Sequence, residues 1–566
     1  MGSIMGKILF INLSDKVIEE KEYPEKYLRE YVGQDGIGAR IISDEVVPGI
    51  AALDPDNCLV IAAGPLAGTG IQASSNFSVI SKSPLTGFIY NSHSNGNFAG
   101  NLKCCGYDVL IVKGRAERPV YLWIHDEDAE IKDANMMWGK DTFETDNIIK
   151  EVLREPKLSC ICIGPAGEKL VLMACIVNPS RTGHTGIGGR GGLGAVMGAK
   201  NLKAIAVFGT KKVAVADEST FKDLSREWRE MNMKAPVTQL YAKYGTAGLV
   251  TDIYQAGDYP IKNWSTGVLE GYERLTGQYL VDNMFVRHTT CPSCTIAHGK
   301  ILKVKEGPFA GLECEMPEYE LTSAMGANLG ITEPTAVVKG TEMCNKYGID
   351  ALGASNAIGF AMECFEKGLI TKEETEGVEL RFGNYEAAFE MLDKIIKRKG
   401  LGNILADGTV RAADYIGQDS EKFTVHVKNM SIVMHDFRAF WGYALQYAVG
   451  SAGPAHEGGP LFAEMTGIVP RFSKEGKAAM VKEGQELRCF LNTLGICYFG
   501  AMGVPIELIT KALSAACGMT FTPEDSREIA MRLVNLRRVF NIRHGLTPQD
   551  DTLSHRLLQA PPDGGA

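Results

Sequence analysis

Over the first ~210 residues the apolar positions fall in short β-branched runs, Lys7–Leu13, Cys58–Ala62, Phe77–Ser81, Val109–Lys113, Val120–Ile124, Ser159–Ile163 and Ala204–Phe208. Gly, Pro, Asn and Asp separate them, which predicts strands joined by turns. From about residue 212 the apolar spacing becomes helical. Thr332-Glu333-Pro334 predicts a helix start with a hydroxyl cap and proline in the first turn. Asn384 predicts another cap, with Phe389, Leu392 and Ile396 on one face until Gly400. Beyond about 425 a short strand, Phe423–Val427, mixes with helices such as Ser526–Val539. The pattern divides the chain into 1–211, 212–424 and 425–566, an α+β chain of three parts. A length of 566 residues suits that number, at about 150 residues per domain.

Composition narrows the class. With 45% hydrophobic and 22% charged residues the chain has ample core-forming material, which excludes a disordered protein. The net charge of −9 argues against a nucleic-acid partner, which would call for a basic surplus. No run of ~18 apolar residues is present, so no membrane span is expected, and the N-terminal apolar stretch is too short for a signal peptide. The expectation is a cytoplasmic protein whose 14 cysteines are thiols or metal ligands.

Four constellations carry candidate chemistry. Cys291-Pro-Ser-Cys294 offers two thiols to one metal or cluster, with His298 four residues on and Cys497 or Cys489 as distant additions. A lone Cys-x-x-Cys is weak, and buried thiols or half a zinc site explain it as well. Gly186–Gly198 holds seven glycines in thirteen residues around Arg190. Its backbone N–H groups and guanidinium suit an anionic ligand, although a turn-rich loop would read the same. A strand follows these glycines and no Lys-Ser/Thr does, so neither a dinucleotide fingerprint nor a Walker loop is expected. Glu318 and Glu320, in Met316-Pro-Glu-Tyr-Glu, offer a general base, and strict alternation would put both on one strand face. His435 and His456 complete the set, each more often structural than catalytic when taken alone.

Together these segments resemble the tungsten-dependent aldehyde:ferredoxin oxidoreductase family. The resemblance runs through Lys82-Ser-Pro-Leu-Thr-Gly87, Gly96-Asn-Phe98, Leu102-Lys103, Gly106-Tyr-Asp108 and Gly189–Ile205, then Pro317–Glu320, Cys344–Asp350 and Phe360–Gly368. It implies a β-rich N-terminal saddle under a tungsten bis-pyranopterin, closed over by two mainly α-helical domains. It also implies a nearby [4Fe–4S] cluster and Mg2+ between the pterin phosphates. Cys291, Cys294 and Cys497 match the family's cluster pattern, and His298 stands where its third cysteine is expected. The glycines Gly188, Gly189, Gly191 and Gly192, with Arg190, match the phosphate-binding segment. The pterin-binding pattern falls on Asn345, Gly348 and Asp350 and again on Asn492, Gly495 and Ile496. Both leading aspartates are asparagine here, which keeps an acceptor and loses its charge. Asn76 fills the place of an arginine between cluster and pterin, His93 that of an asparagine at the magnesium, with Asn95 beside it.

By motif register Glu320 would activate water or take a substrate proton, and His456 would bond the carbonyl oxygen. The resemblance thus implies an anaerobic enzyme oxidising an aldehyde to a carboxylate, with ferredoxin or small iron–sulfur subunits as electron acceptor. The family also includes the tungsten subunit of benzoyl-CoA reductases, so an aryl-CoA substrate is the rival. A non-catalytic, zinc-bearing scaffold is a third reading. A homo-oligomer is compatible with all three.

Overall fold

The structure is a computed structural model and describes residues 2–180, 184–561 and 563. Strands β1–β6 are Lys7–Asn12, Val17–Glu22, Leu59–Ala63, Phe77–Lys82, Ile89–Ser94 and Val109–Lys113. They form one sheet in the order β2-β1-β6-β3-β4-β5, with only β1–β6 parallel. Strands β7–β12 are Val120–His125, Asp128–Asp133, Ser159–Cys162, Ile176–Asn178, Gly186–Gly188 and Leu202–Phe208. They form a second sheet, ordered β11-β10-β9-β12-β7-β8. All seven predicted runs lie in these sheets. The additional strands lack the apolar signal: β2 reads Val-Ile-Glu-Glu-Lys-Glu and β8 Asp-Ala-Glu-Ile-Lys-Asp, polar strands at sheet edges.

Side-chain alternation places the cores. Leu9, Ile11, Leu59, Ile61, Phe77, Val79 and Leu110 face Leu122, Ile124, Ile161, Ile205 and Val207 of the other sheet. The intervening residues Ile8, Val60, Ala62, Ile80 and Val109 point outward, where Ile37 and Ile42 of helix Gln34–Glu45 cover them. Apolar residues of the far helices Ile506–Cys517 and Pro523–Arg543 complete that layer. An ion pair seals it: fully buried Arg537 donates to Asp35 at 2.9 Å across 502 residues of sequence. Desolvation alone would raise the Asp35 carboxyl. His93, Arg537 and Ser78 outweigh it and hold the group far below the usual carboxylate range.

The largest core is helical, built around Ala351–Glu366, Tyr385–Lys397 and Thr409–Ile416. Asn384 caps its helix as expected, through Ala387 N at 3.1 Å. The other start differs: Glu333, not Thr332, caps the helix Pro334–Tyr347, accepting from Thr335. The expected strand Phe423–Val427 contracts to His426–Val427 paired with Met430–Ser431, because the chain before it makes a helical turn. A three-stranded sheet, β13 (Phe285–Thr289), β14 (Gly299–Lys303) and β15 (Glu313–Glu315), carries the Cys291–His298 segment as its β13–β14 connection.

Candidate active site

The glycine segment is not a free loop. Strand β11 leads to Gly192, which caps the helix Leu193–Ala199 with φ +71°. A Cβ there would lie 2.2 Å from Leu172 O, so only glycine fits. The segment therefore does join a strand to a helix start, against expectation. Beside it a cavity of about 570 Å³ opens between the sheets and the helical parts. Asn76, His93, Asn95, Gly189, Arg190, Glu320, Asn345, Asp350, His456 and Cys497, all singled out in the sequence, line it. Gly188, Gly191, Gly192, Gly348, Asn492, Gly495 and Ile496 do not reach its wall and instead shape the backbone behind it. Gly495, at φ +86°, passes Ala67 and Gly64 too closely for a side chain.

Arg190 is fully engaged within the protein. It bonds Asp350 at 3.3 Å, Pro454 O at 3.1 Å and Ser431 through both backbone and hydroxyl. Asp350 also caps the helix Ala351–Glu366. Burial pushes its carboxyl up, and the Arg190 charge partly offsets the rise. His93 turns its Nε2 to Asp35 at 2.9 Å. Ser94 Oγ, Asn95 Oδ1 and Arg488 Nε have no partner among the described residues although all three are buried at the cavity wall. Unpaired buried polar atoms in a large cavity are what a polar ligand would satisfy.

The predicted common strand face for Glu318 and Glu320 is not found. The chain turns here: Glu318 caps the helix Tyr319–Met325 and Glu320 occupies its first turn, so the two carboxylates diverge. Glu320 Oε1 accepts from His456 Nε2 at 2.7 Å, and Oε2 from Met434 N at 2.7 Å. The other nitrogen of His456 meets the hydroxyls of Tyr443 (2.5 Å) and Tyr447 (2.7 Å). The Glu320 carboxylate, which can only accept, calls for the hydrogen on Nε2, and the hydroxyls can then donate to Nδ1. His435 stands 3.9 Å from Glu320 and gives Nδ1 to Asp258 at 2.5 Å. Burial opposes the charge of Glu320, but the His456 bond and His435 outweigh it and hold the carboxyl below its ordinary value. Burial lowers His456, leaving it neutral near pH 7, and lifts Asp258 to about 6.

On the opposite wall Glu318 Oε1 accepts from His298 Nε2 at 3.0 Å. Near His298 the Cys291–Cys294 turn is joined to the Cys497 segment. Ala73 N donates to Ser293 O, and Cys497 N donates to Ala73 O, both at 2.9 Å. Asn76 bonds Gly495 O and Ile496 O at 3.2 Å each. The segment Ala73–Asn76 thus clips the Cys291–Cys294 turn to the Cys497 segment, and the three thiols feel one another electrostatically. Cys489 lies elsewhere, against Arg537. Sequence reasoning missed His184, Glu315, Asp258, Tyr443, Tyr447 and Arg488. None stands in a motif: Asp258 meets His435 across 177 residues and Glu315 meets His184 across 131, whereas Tyr443 and Tyr447 lie only 13 and 9 residues from His456.

Two family models match the chain, the aldehyde ferredoxin oxidoreductase N-terminal domain over residues 8–209 and domains 2 and 3 over 223–566. The tungsten-containing aldehyde ferredoxin oxidoreductase of Pyrococcus abyssi is 38% identical over all of this chain and 93% of its own. An aliphatic sulfonate oxidoreductase, WOR-like subunit, of Pyrococcus furiosus is 32% identical over 96% of this chain and 87% of its own. Among solved structures, the active-site complex BamBC of benzoyl coenzyme A reductase with 1,5-dienoyl-CoA has a TM-score of 0.84 at 26% identity. That likeness covers 98% of this chain and 91% of the other. With its fold and its whole length accounted for, the chain belongs to the aldehyde ferredoxin oxidoreductase family of oxidoreductases.

Proposed function

We propose that this protein is a cytoplasmic tungsten bis-pterin oxidoreductase that converts an aldehyde to its carboxylate and passes the electrons to ferredoxin. The observation that carries it is the Glu320–His456 pair on one wall of a cavity whose other wall backs onto Cys291, Cys294 and Cys497. The overall change, RCHO + H2O → RCOO⁻ + 3 H⁺ + 2 e⁻, needs a proton acceptor, a carbonyl anchor and an electron exit. Bound tungsten would supply Lewis acidity and accept an electron pair.

The chain's own residues divide the remaining work. Asn95, Ser94, Arg488 and Asn345 face the cavity with polar atoms to offer the pterins. Arg190 is proposed to meet a pterin phosphate by exchanging acceptors with Asp350, and the His93–Asn95 stretch to hold Mg2+. Cys291, Cys294 and Cys497 would hold a [4Fe–4S] cluster, leaving its fourth iron to His298 Nδ1 or to a non-protein ligand. Glu320, kept ionised, takes a proton from water or substrate. His456 Nε2–H, shared with Glu320 at rest, swings to the carbonyl oxygen, and the tyrosine hydroxyls behind it hold the ring.

Tungsten, iron and pterin analysis of anaerobically purified protein, followed by aldehyde-dependent reduction of ferredoxin, tests this reading. Protein that contains zinc alone would defeat it. Reduction of an aryl-CoA thioester with no aldehyde turnover would favour the second reading, to which the benzoyl coenzyme A reductase likeness points.

A further inference from the structure

Four side chains cluster on the cysteine side of the cavity, and of these only His298, through Nδ1, enters the mechanism above. His184 precedes β11, His298 precedes β14, Glu315 ends β15 and Glu318 caps the next helix. All but His298 line the cavity directly. The rings of His184 and His298 lie 5.4 Å apart at 63°. One ligand atom from each of His184, His298 and Glu318 falls within 4.8 Å of the other two.

We propose that His184, His298 and Glu318 bind a single divalent transition-metal ion, zinc or ferrous iron, distinct from both the tungsten and the cluster. Two imidazoles with one carboxylate suit zinc or ferrous iron, whereas magnesium and calcium take oxygen ligands. Bonds of about 2.0–2.2 Å around one ion hold neighbouring ligand atoms ~3–4 Å apart. The His298–Glu318 distance of 3.0 Å already meets that, and the other separations, at most 4.8 Å, close with roughly an ångström of side-chain movement.

The surroundings of His184 favour a cation. His184 Nδ1 donates to Glu315 Oε1, whose second oxygen accepts from Thr185 N at 3.0 Å. A carboxylate on one ring nitrogen fixes the tautomer and frees the lone pair of the other, the usual arrangement behind a metal-bound histidine. His184 Nε2 is thereby left for the ion. Both histidines are nearly buried, with side chains 10% and 13% exposed, while Glu318 at 41% is reached from the cavity. The fourth position of a tetrahedral ion would face that cavity and hold water or a substrate oxygen. His298 Nε2 thus serves this ion, and its place in the family's cysteine pattern does not by itself make it an iron ligand of the cluster.

The test is zinc K-edge absorption spectroscopy on anaerobically purified holoenzyme supplied with Zn2+ alone. The expected result is about one zinc per chain with nitrogen and oxygen neighbours, two of them imidazole. His184→Ala and Glu318→Gln should each lower retained zinc at least about tenfold, with the cluster's electron paramagnetic resonance signal intact. Zinc with sulfur neighbours would place the ion on Cys291, Cys294 and Cys497, overturning this site and the cluster assignment together. No retained zinc, or full retention in both variants, overturns this site alone, with the cluster signal still reporting on the proposed enzyme. A His184–Glu315 ion pair without a metal is the arrangement left standing in that case.

Discussion

Glu318 and Glu320 stand two residues apart, yet each belongs to a different histidine cluster on the wall of the same cavity. Around Glu320 the network is closed: His456 Nδ1 has two tyrosine hydroxyls, His435 Nδ1 has Asp258, and the second carboxylate oxygen has a backbone N–H. Around Glu318 it is open: Glu315 holds the far side of His184, and one ligand atom from each of His184, His298 and Glu318 lies within 4.8 Å of the other two. Identical residue types are therefore set to different tasks by what stands behind them. The tyrosine hydroxyls behind His456 support its proton on the Glu320 side, and the carboxylate behind His184 exposes the lone pair of its other nitrogen.

The sharpest way to break this contrast is Glu320→Gln. With the proton acceptor gone, turnover on an identified substrate is expected to fall roughly 10²- to 10⁴-fold while tungsten, pterin and cluster content hold. Unchanged turnover would show that the closed network is scaffolding, and Glu318 would become the next base to test.

A third pair, His93–Asp35, is the structural control, since Arg537 neutralises it in the interior. Asp35→Ala strips a buried arginine of its partner and should cost about 3–5 kcal/mol in unfolding free energy. Because Asp35 titrates below its ordinary value when folded, its contribution is present above about pH 4 and is lost as pH falls below that. The variant's stability should therefore decline less steeply in acid than the parent's. An equal acid slope in urea titrations at pH 3–6 would remove Asp35 from this role.

Arg190→Ala is expected to weaken retention of tungsten and pterin about 10- to 100-fold, the loss of charge-assisted bonds worth ~1.5–3 kcal/mol. Normal cofactor content would mean that Arg190 serves only its observed partners Asp350, Ser431 and Pro454. The smallest effect sharpens the comparison from within. Tyr447→Phe leaves His456 Nδ1 its second hydroxyl, so about 0.5–1.5 kcal/mol, a two- to tenfold slower turnover, is expected. A loss as large as that of Glu320→Gln would mean that the two hydroxyls are not equivalent supports.

What the sequence made legible was local. The β-branched runs named central strands because each is buried on its own account, as in Leu59–Ala63, where every residue is inaccessible. The glycine segment was legible because the backbone at Gly192 admits no side chain. The side chains behind the ligands were not. Asp258 sits in an ordinary Gly-Asp-Tyr turn, Glu315 reads as one more acid on a strand, and both matter only through histidines brought in from afar. The Glu318–Glu320 geometry was misread because a two-residue spacing has opposite meanings on a strand and at a helix start, and only the cap at Glu318 decides between them.

The Asp35–Arg537 pair also sets a clock. Residue 35 leaves the ribosome 502 residues before its partner exists, a wait of about 25–100 s at 5–20 residues per second. Through that interval the outer face of the first sheet lacks its two far helices, Ile506–Cys517 and Pro523–Arg543, and the cavity, walled by residues from Asn76 to Met502, is still being built. The first sheet of this protein must therefore stay competent for tens of seconds without its closing layer, and any cofactor seated in the cavity arrives when the chain is all but complete.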